Sequence, residues 1–275
     1  MPPRQVHEIG GGVTSLVMPA WTPGGHYGVK IVNVAAGNAA RGLPALHASY
    51  LLHDAATGTP LALIDGDQIT ARRTAAASAL AASWLARADA RHLLVVGAGR
   101  VARLLPAAYR TVLPIERVTV WARRAAEAEA LARALAAAGV DAAASDDLGQ
   151  AAAAADVISV ATLATEPVIE GRWLRPGSHL DLIGSFTPAM READDACFAG
   201  AALYVDTEEA LLKSGDLLGP MQRGVLTAAD LRGTLATLAR GEAQGRRSDA
   251  ERTVFKSVGT ALEDLAAAIL VYERG

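Results

Sequence analysis

The chain has 275 residues, 51% of them hydrophobic and 20% charged, which is enough apolar mass for a large core and enough length for two domains. A net charge of −3 carries no electrostatic footprint for nucleic acid or an anionic membrane surface, so the expected partners are small molecules, with no nucleic acid and no membrane. One cysteine, Cys197, excludes an intrachain disulfide, the start MPPRQVHEIGGG has no secretory h-region, and no apolar run approaches the ~20 residues of a membrane span; the expected location is cytoplasmic.

Residues 13–34 alternate short β-like runs (VTSLVMP, YGVKIVNV) with glycine and proline turns, and LPALHASYLLHD followed by TPLALIDGD continues as antiparallel β structure. From Thr70 the period becomes helical in TARRTAAASALAASWLARA. The strands HLLVVG, VTVWA, VISVAT, HLDLIG and ALYVDT then alternate with helices or loops, the pattern of a doubly wound sheet. Two connections read as helices: AAEAEALARALAAAG, closed by Gly139, and TAADLRGTLATLARG, closed by Gly241. A polar stretch, GEAQGRRSDAERT, precedes a last amphipathic helix, SVGTALEDLAAAILVYE. The fold class expected is α/β: a Rossmann-type doubly wound sheet over residues 87–250, plus a smaller β-rich domain over residues 1–86, completed by a helix in residues 255–275.

The segment His92 to Ala102, HLLVVGAGRVA, runs from strand through a glycine turn toward a helix, a site for a dinucleotide pyrophosphate. Gly97 and Gly99 permit the tight turn and close backbone approach. Arg100 and Val101 open the helix whose N–H groups face the phosphates, and Ala102 keeps helix and strand near one another. Glycine turns also follow strands for structural reasons alone. In NAD-binding versions an acidic residue about 20 positions on takes the ribose hydroxyls. Here the second strand ends in Arg123-Arg124, which favours the 2′-phosphate of NADPH, with NADH the alternative cofactor. The other reading of these arginines is a solvated surface pair.

Two sets of cations need partners. Arg72 and Arg73 fall in the first turn of a helix starting near Thr70, where the helix dipole disfavours positive charge. A substrate carboxylate, a cofactor phosphate, Asp65 or Asp67 would supply the missing anion. Lys30 shares a strand face with Val32 and Val34, so it either meets an anion or snorkels from an edge strand.

With these residues in view, the chain resembles the ornithine cyclodeaminase/μ-crystallin family. The resemblance is carried by VMPA (17–20), GVKIV (28–32), DGDQITARRTAAASALAASWLA (65–86), VVGAG (95–99) and ISVATLATEPVIEG (158–171), and by WLRPGSHLDLIGSFTPAMREADD (173–195), YVDT (204–207), SGDL (214–217) and FKSVGTALEDLAAA (255–268). It implies a homodimer in which a Rossmann domain stands beside a β-rich domain that pairs subunits and holds substrate. It further implies that Arg4, Lys30 and Arg73 clamp the carboxylate of an amino or imino acid, with Lys30 and Arg73 catalytic, and that no metal takes part. Thr74, Thr162, Leu163 and the segment Phe255-Lys256-Ser257 are implied to border the nicotinamide. Family members carry an additional segment before the arginine matched by Arg4, whereas this chain starts almost on it, so Arg4 is the least constrained of the clamp.

Departures from the family pattern narrow the chemistry. Ornithine cyclodeaminases carry a Gly-Gly-Asp-x-Pro-Gly stretch and a glutamate just before the Met-Pro pair, whereas here Phe186 and Val17 replace the two carboxylates. Cyclodeamination requires proton-transfer groups that a phenylalanine does not provide. The GSFTPAMRE version is similar to the ketimine reductases, implying NAD(P)H-dependent reduction of Δ1-pyrroline-2-carboxylate or Δ1-piperideine-2-carboxylate. An ornithine cyclodeaminase, an alanine-type dehydrogenase and a non-catalytic NADPH-binding protein are the alternatives. Thr187, Ser185, His47 and water are the candidate proton sources.

Overall fold

The computed structural model describes the backbone of residues 1–275 and all side chains except those of residues 36 and 39. In chain order the elements begin with β1 (Gln5–Gly10), β2 (Val13–Trp21), β3 (His26–Ala35), β4 (Leu46–Asp54), β5 (Pro60–Asp65) and α1 (Gly66–Leu85). Then come β6 (His92–Val96), α2 (Leu105–Tyr109), β7 (Arg117–Trp121), α3 (Ala125–Ala137), β8 (Asp141–Ala144), α4 (Leu148–Ala154) and β9 (Val157–Val160). The remainder is β10 (His179–Leu182), β11 (Ala202–Val205), α5 (Ala210–Lys213), α6 (Gly215–Gln222), β12 (Leu231–Thr234), α7 (Leu235–Ala239), β13 (Thr253–Lys256) and α8 (Ala261–Arg274). The chain divides into two compact units, Met1–Thr74 with Gly259–Gly275, and Ala75–Val258.

The first unit is an antiparallel sheet in the order β1-β2-β3-β4-β5. Strand alternation turns Met18, Ala20, Val32, Tyr50 and Leu52 to one face, where Ile69 of α1 and Ala261, Leu265 and Ala268 of α8 close the core. The opposite face keeps Ile31, Leu51 and Leu63 exposed on three adjacent strands. Helix α1 starts at Gly66, earlier than expected, because the Asp65 carboxylate accepts from the N–H groups of Asp67 (2.9 Å) and Gln68 (3.1 Å) as an N-cap. Arg72 and Arg73 consequently lie in the second turn, and the expected conflict with the helix dipole falls away.

The second unit is an eight-stranded parallel sheet in the order β12-β11-β13-β10-β9-β6-β7-β8. Its central strands are buried apart from the half-buried His92, as the apolar runs LLVV and VISV require, and in HLDL the buried Asp181 is met by the hydroxyls of Tyr109 and Ser159. Among the connections, α3 ends as expected, with Gly139 at φ +80°.

Three parts of this unit depart from the sequence reading. The helix after the glycine turn is replaced by turn structure over residues 100–104, and α2 begins only at Leu105. Pro106 has no N–H to donate back to Ala102, so the helical ladder is interrupted there. The expected helix TAADLRGTLATLARG breaks into a 3-10 turn at Ala228–Asp230, strand β12 and the short α7. Reciprocal caps at Thr227/Asp230 and Thr234/Thr237 start and stop the chain locally, overriding its helical periodicity. Lastly, the final helix begins at Ala261, capped by Thr260, while Thr253–Lys256 forms β13, wedged between β10 and β11.

No helix is long and apolar enough to cross a membrane, and no group of metal-ligating side chains occurs among the described residues.

Candidate active site

In the second unit, β6 is flanked by β7 on one side and β9 on the other, so successive connections leave in opposite directions at its carboxyl end. Such a switch point opens a crevice where doubly wound sheets bind ligands. The turn after β6 is shaped for it. Gly97 has φ +117°, and a Cβ there would lie 2.5 Å from the Ala161 carbonyl, so only glycine fits. Gly99 is exposed, and a Cβ there would meet nothing within 4 Å; this open space above the turn fits a phosphate group. Ala102 is fully buried against Leu93 and Val95, while Arg100 is exposed and Val101 half-buried.

Arg123 and Arg124 follow β7 at its carboxyl end and are both exposed. Arg124 is ion-paired with Glu127, one turn into α3. At the end of β9, Thr162 is half-buried and Leu163 is 77% exposed. Ser257, just past β13, is buried and donates its N–H to Leu182 (3.0 Å). The ring of Phe255 is spent in the core with Ala77, Leu85 and Tyr204. The glycine cradle at a switch point therefore fits a dinucleotide.

Beside this crevice Lys256, named from the sequence as part of the segment bordering the nicotinamide, is buried in an ionic group that the sequence reading did not identify. Lys256 has its Nζ 3.4 Å from Asp216 and 3.9 Å from Glu192, all three fully buried. A lysine directly after the apolar pair Val254-Phe255 was the available signal. Asp216, at the start of α6, also accepts from the N–H groups of Glu192 (2.8 Å) and Ala193 (3.1 Å).

In the first unit, Lys30 is 1% exposed, and its Nζ lies 2.5 Å from Asp264 Oδ2 and 3.4 Å from the Thr70 hydroxyl. Arg73 donates through Nε to the other Asp264 oxygen (2.9 Å) and through Nη1 to Glu263 (2.8 Å). Arg4 donates to the carbonyl of Gly259 at 2.7 Å, and a Cβ on Gly259 would lie 2.5 Å from the Arg73 guanidinium. The three cations named from the sequence thus converge on the start of α8. Burial, reinforced by Arg73 and opposed by Asp264, lowers the Lys30 ammonium from 10.5 to about 8. Thr74 is buried on α1.

The anions meeting these cations, Glu263 and Asp264, were missed; their sequence signal was a pair of carboxylates in the first turn after the Thr260 cap. Asp65 is used instead as the α1 cap. Val17 pairs with Ile31, on the sheet face opposite Met18 and Lys30. Its exchange for a glutamate therefore bears on the outer face, and Phe186 alone carries the argument against deamination.

Residues 1–275 match the Ornithine cyclodeaminase/mu-crystallin family model. The chain belongs to this family. A Delta(1)-pyrroline-2-carboxylate reductase of Paracoccus denitrificans is 47% identical over 273 residues, spanning 98% of this chain and 86% of the relative. Ketimine reductase mu-crystallin of Rattus norvegicus is 37% identical over 260 residues, 94% of this chain and 79% of its own length. The structure of Thermococcus litoralis Delta(1)-pyrroline-2-carboxylate reductase, in complex with NADH and L-proline, matches with TM-score 0.93 at 36% identity, covering 99% of this chain and 86% of that one.

In this member of the ornithine cyclodeaminase/mu-crystallin family the candidate proton sources differ in availability. Ser185 is buried and its hydroxyl donates to the Met190 carbonyl at 2.6 Å, so its proton is engaged. His47 is exposed on β4 and Thr187 half-buried in the loop after β10.

Proposed function

We propose that the protein reduces a cyclic ketimine carrying a carboxylate on the imine carbon, Δ1-pyrroline-2-carboxylate or Δ1-piperideine-2-carboxylate, to proline or pipecolate. The observation carrying this reading is the convergence of Arg4, Lys30 and Arg73 on the start of α8, where Lys30 and Arg73 share the Asp264 carboxylate and Arg4 reaches the Gly259 carbonyl. Three cations gathered at one place suit a substrate carboxylate, whose charge also lessens their repulsion of the protonated imine. Lys30 and Arg73 act catalytically by fixing the carboxylate, so the imine carbon is held in one orientation. Bound NAD(P)H supplies the hydride.

For the cofactor, Gly97, Gly99, Arg100, Val101 and Ala102 hold the pyrophosphate, and Thr162, Leu163 and Ser257 border the nicotinamide, with Phe255 supporting from the core. Arg123, which has no helix-turn carboxylate of its own, takes the 2′-phosphate, making NADPH preferred and NADH a second cofactor. Phe186, 41% exposed after β10, offers no group for expelling ammonia. The exposed apolar row Ile31, Leu51 and Leu63 supports pairing of two copies through the outer sheet face.

The test follows NADPH absorbance with both ketimines, alongside an ammonia assay with ornithine. Oxidation of NADPH without ammonia is expected. Ammonia from ornithine with no ketimine-dependent oxidation would overturn the proposal in favour of cyclodeamination.

A further inference from the structure

Glu192 lies well outside the glycine turn, yet its carboxylate is committed to the loops that flank the crevice. One oxygen accepts from the Thr162 N–H (2.7 Å) and the Thr162 hydroxyl (2.8 Å), at the end of β9. The other accepts from the Gly184 N–H (2.6 Å), at the end of β10. These three donors belong to two different strand ends, so a single side chain fastens both. The two strand ends and Glu192 are closely packed: a Cβ on Gly184 would run into the Thr162 carbonyl, and it would lie 2.5 Å from Glu192 itself. The Ala161 carbonyl in turn backs directly on Gly97. A continuous stack therefore runs from the phosphate turn, through residues 161–162, to Glu192.

The carboxylate is itself held from behind. Lys256 lies 3.9 Å away, and Asp216 binds the Glu192 main-chain N–H at 2.8 Å while facing the same lysine. Burial raises Glu192 to about 7, with Lys256 opposing and Asp216 adding to the rise. A protonated carboxyl would face three donors with one acceptor oxygen compromised, so the geometry is built for the anion.

We propose that Glu192 is a positioning residue of the reductase reaction, whose carboxylate fixes the Thr162-Leu163 segment in the place from which it borders the nicotinamide. The proposal rests on the reading that this segment meets the nicotinamide end of the cofactor. It assigns to Glu192 no contact with substrate or cofactor; its action passes through the Thr162 backbone and hydroxyl. Leaving those donors unmet in a buried place frees the loop end.

The test compares binding of NADPH with binding of 2′-phospho-ADP-ribose, which lacks the nicotinamide, by quenching of protein fluorescence. The Glu192→Gln variant keeps the shape but places an amide N–H₂ against one of the donors. Expected is a loss of NADPH affinity of about tenfold, with affinity for the fragment within about twofold, and a fall in kcat. Equal losses for both ligands would mean general damage to the fold and overturn the proposal. Should Glu192→Gln fail to fold, Glu192→Asp keeps the charge opposite Lys256 but is one methylene too short to reach both loops, and the same comparison applies. Leu163→Ala, at an exposed position, checks the reading beneath. If Leu163→Ala weakens NADPH selectively and the Glu192 variant does not, the proposal fails and the reading stands. If neither does, both fall.

Discussion

The Asp264 carboxylate is shared: one oxygen lies 2.5 Å from the Lys30 ammonium and the other accepts from the Arg73 guanidinium at 2.9 Å. Asp264 is fully buried, so it fixes the spacing of two cations that would otherwise repel. Asp264→Asn should then cost about 3–5 kcal/mol of stability, the range for breaking a buried pair from one side. The double variant Lys30→Met/Asp264→Asn should recover part of the lost Tm without recovering turnover. Full additivity of the two losses would show that the pair is not coupled.

The lowered Lys30 ammonium predicts a pH limb. With rising pH the free enzyme loses this positive charge near pH 8, so KM for the ketimine carboxylate should climb above that pH. Lys30→Gln should have a high KM at pH 7 and lack the limb. For stability the sign is the reverse: the folded state holds Lys30 less protonated than the unfolded chain between about pH 8 and 10.5, so this group's penalty eases as pH rises through that window. A kcat/KM profile for wild type without a break near 8 would remove Lys30 from the clamp.

Two glycines two positions apart should both weaken cofactor binding but differ in their effect on stability. Gly97→Ala combines a positive φ with a clash on the Ala161 carbonyl, so its Tm should drop along with cofactor affinity. Gly99→Ala has neither problem, so its Tm should stay near wild type while NADPH affinity falls, because the methyl enters the space assigned to phosphate. Unchanged NADPH affinity in Gly99→Ala would place the pyrophosphate elsewhere.

Arg123→Ala should raise KM for NADPH by about tenfold and leave KM for NADH nearly unchanged, the loss of one charged hydrogen-bonding partner to a 2′-phosphate. Arg124→Ala should do less, since Glu127 already engages Arg124. Equal effects on both cofactors would return these arginines to the solvated surface.

Leu63 is 77% exposed on β5, next to Leu51 of β4. Leu63→Lys should shift the protein from dimer to monomer in light scattering, without lowering monomer solubility. A monomeric wild type would refute pairing through this face.

Legibility in the sequence followed the length and clarity of the local signals. The strands at 92–96, 117–121, 157–160, 179–182 and 202–205 are apolar runs bounded by turns, and they form as read. The glycine turn was legible because φ and space both demand glycine at 97. By contrast, β8 is four residues of DAAA and β12 is LRGT, too short and too poor in β-branched side chains to announce a strand. Lys30 was visible as a cation out of place, and Arg73 was singled out on a dipole argument that the start of α1 at Gly66 removes, while their partners on α8 lie about 190 positions further along the chain than Arg73. No periodicity reveals such a pairing. Glu192 was hidden for the same reason, since its meaning comes from Thr162, Gly184 and Lys256, which only the sheet topology gathers.

The wedging of β13 between β10 and β11 has a consequence for how the chain is made. On the ribosome, β11 emerges ending at Val205, and the strand that must separate it from β10 follows only at Thr253. In the interval both neighbours present open edges, able to zip to each other in the wrong order or to a second nascent chain. Synthesis of this sheet is therefore a matter of timing, with the last strand to arrive taking a seat that the earlier ones have had to leave empty.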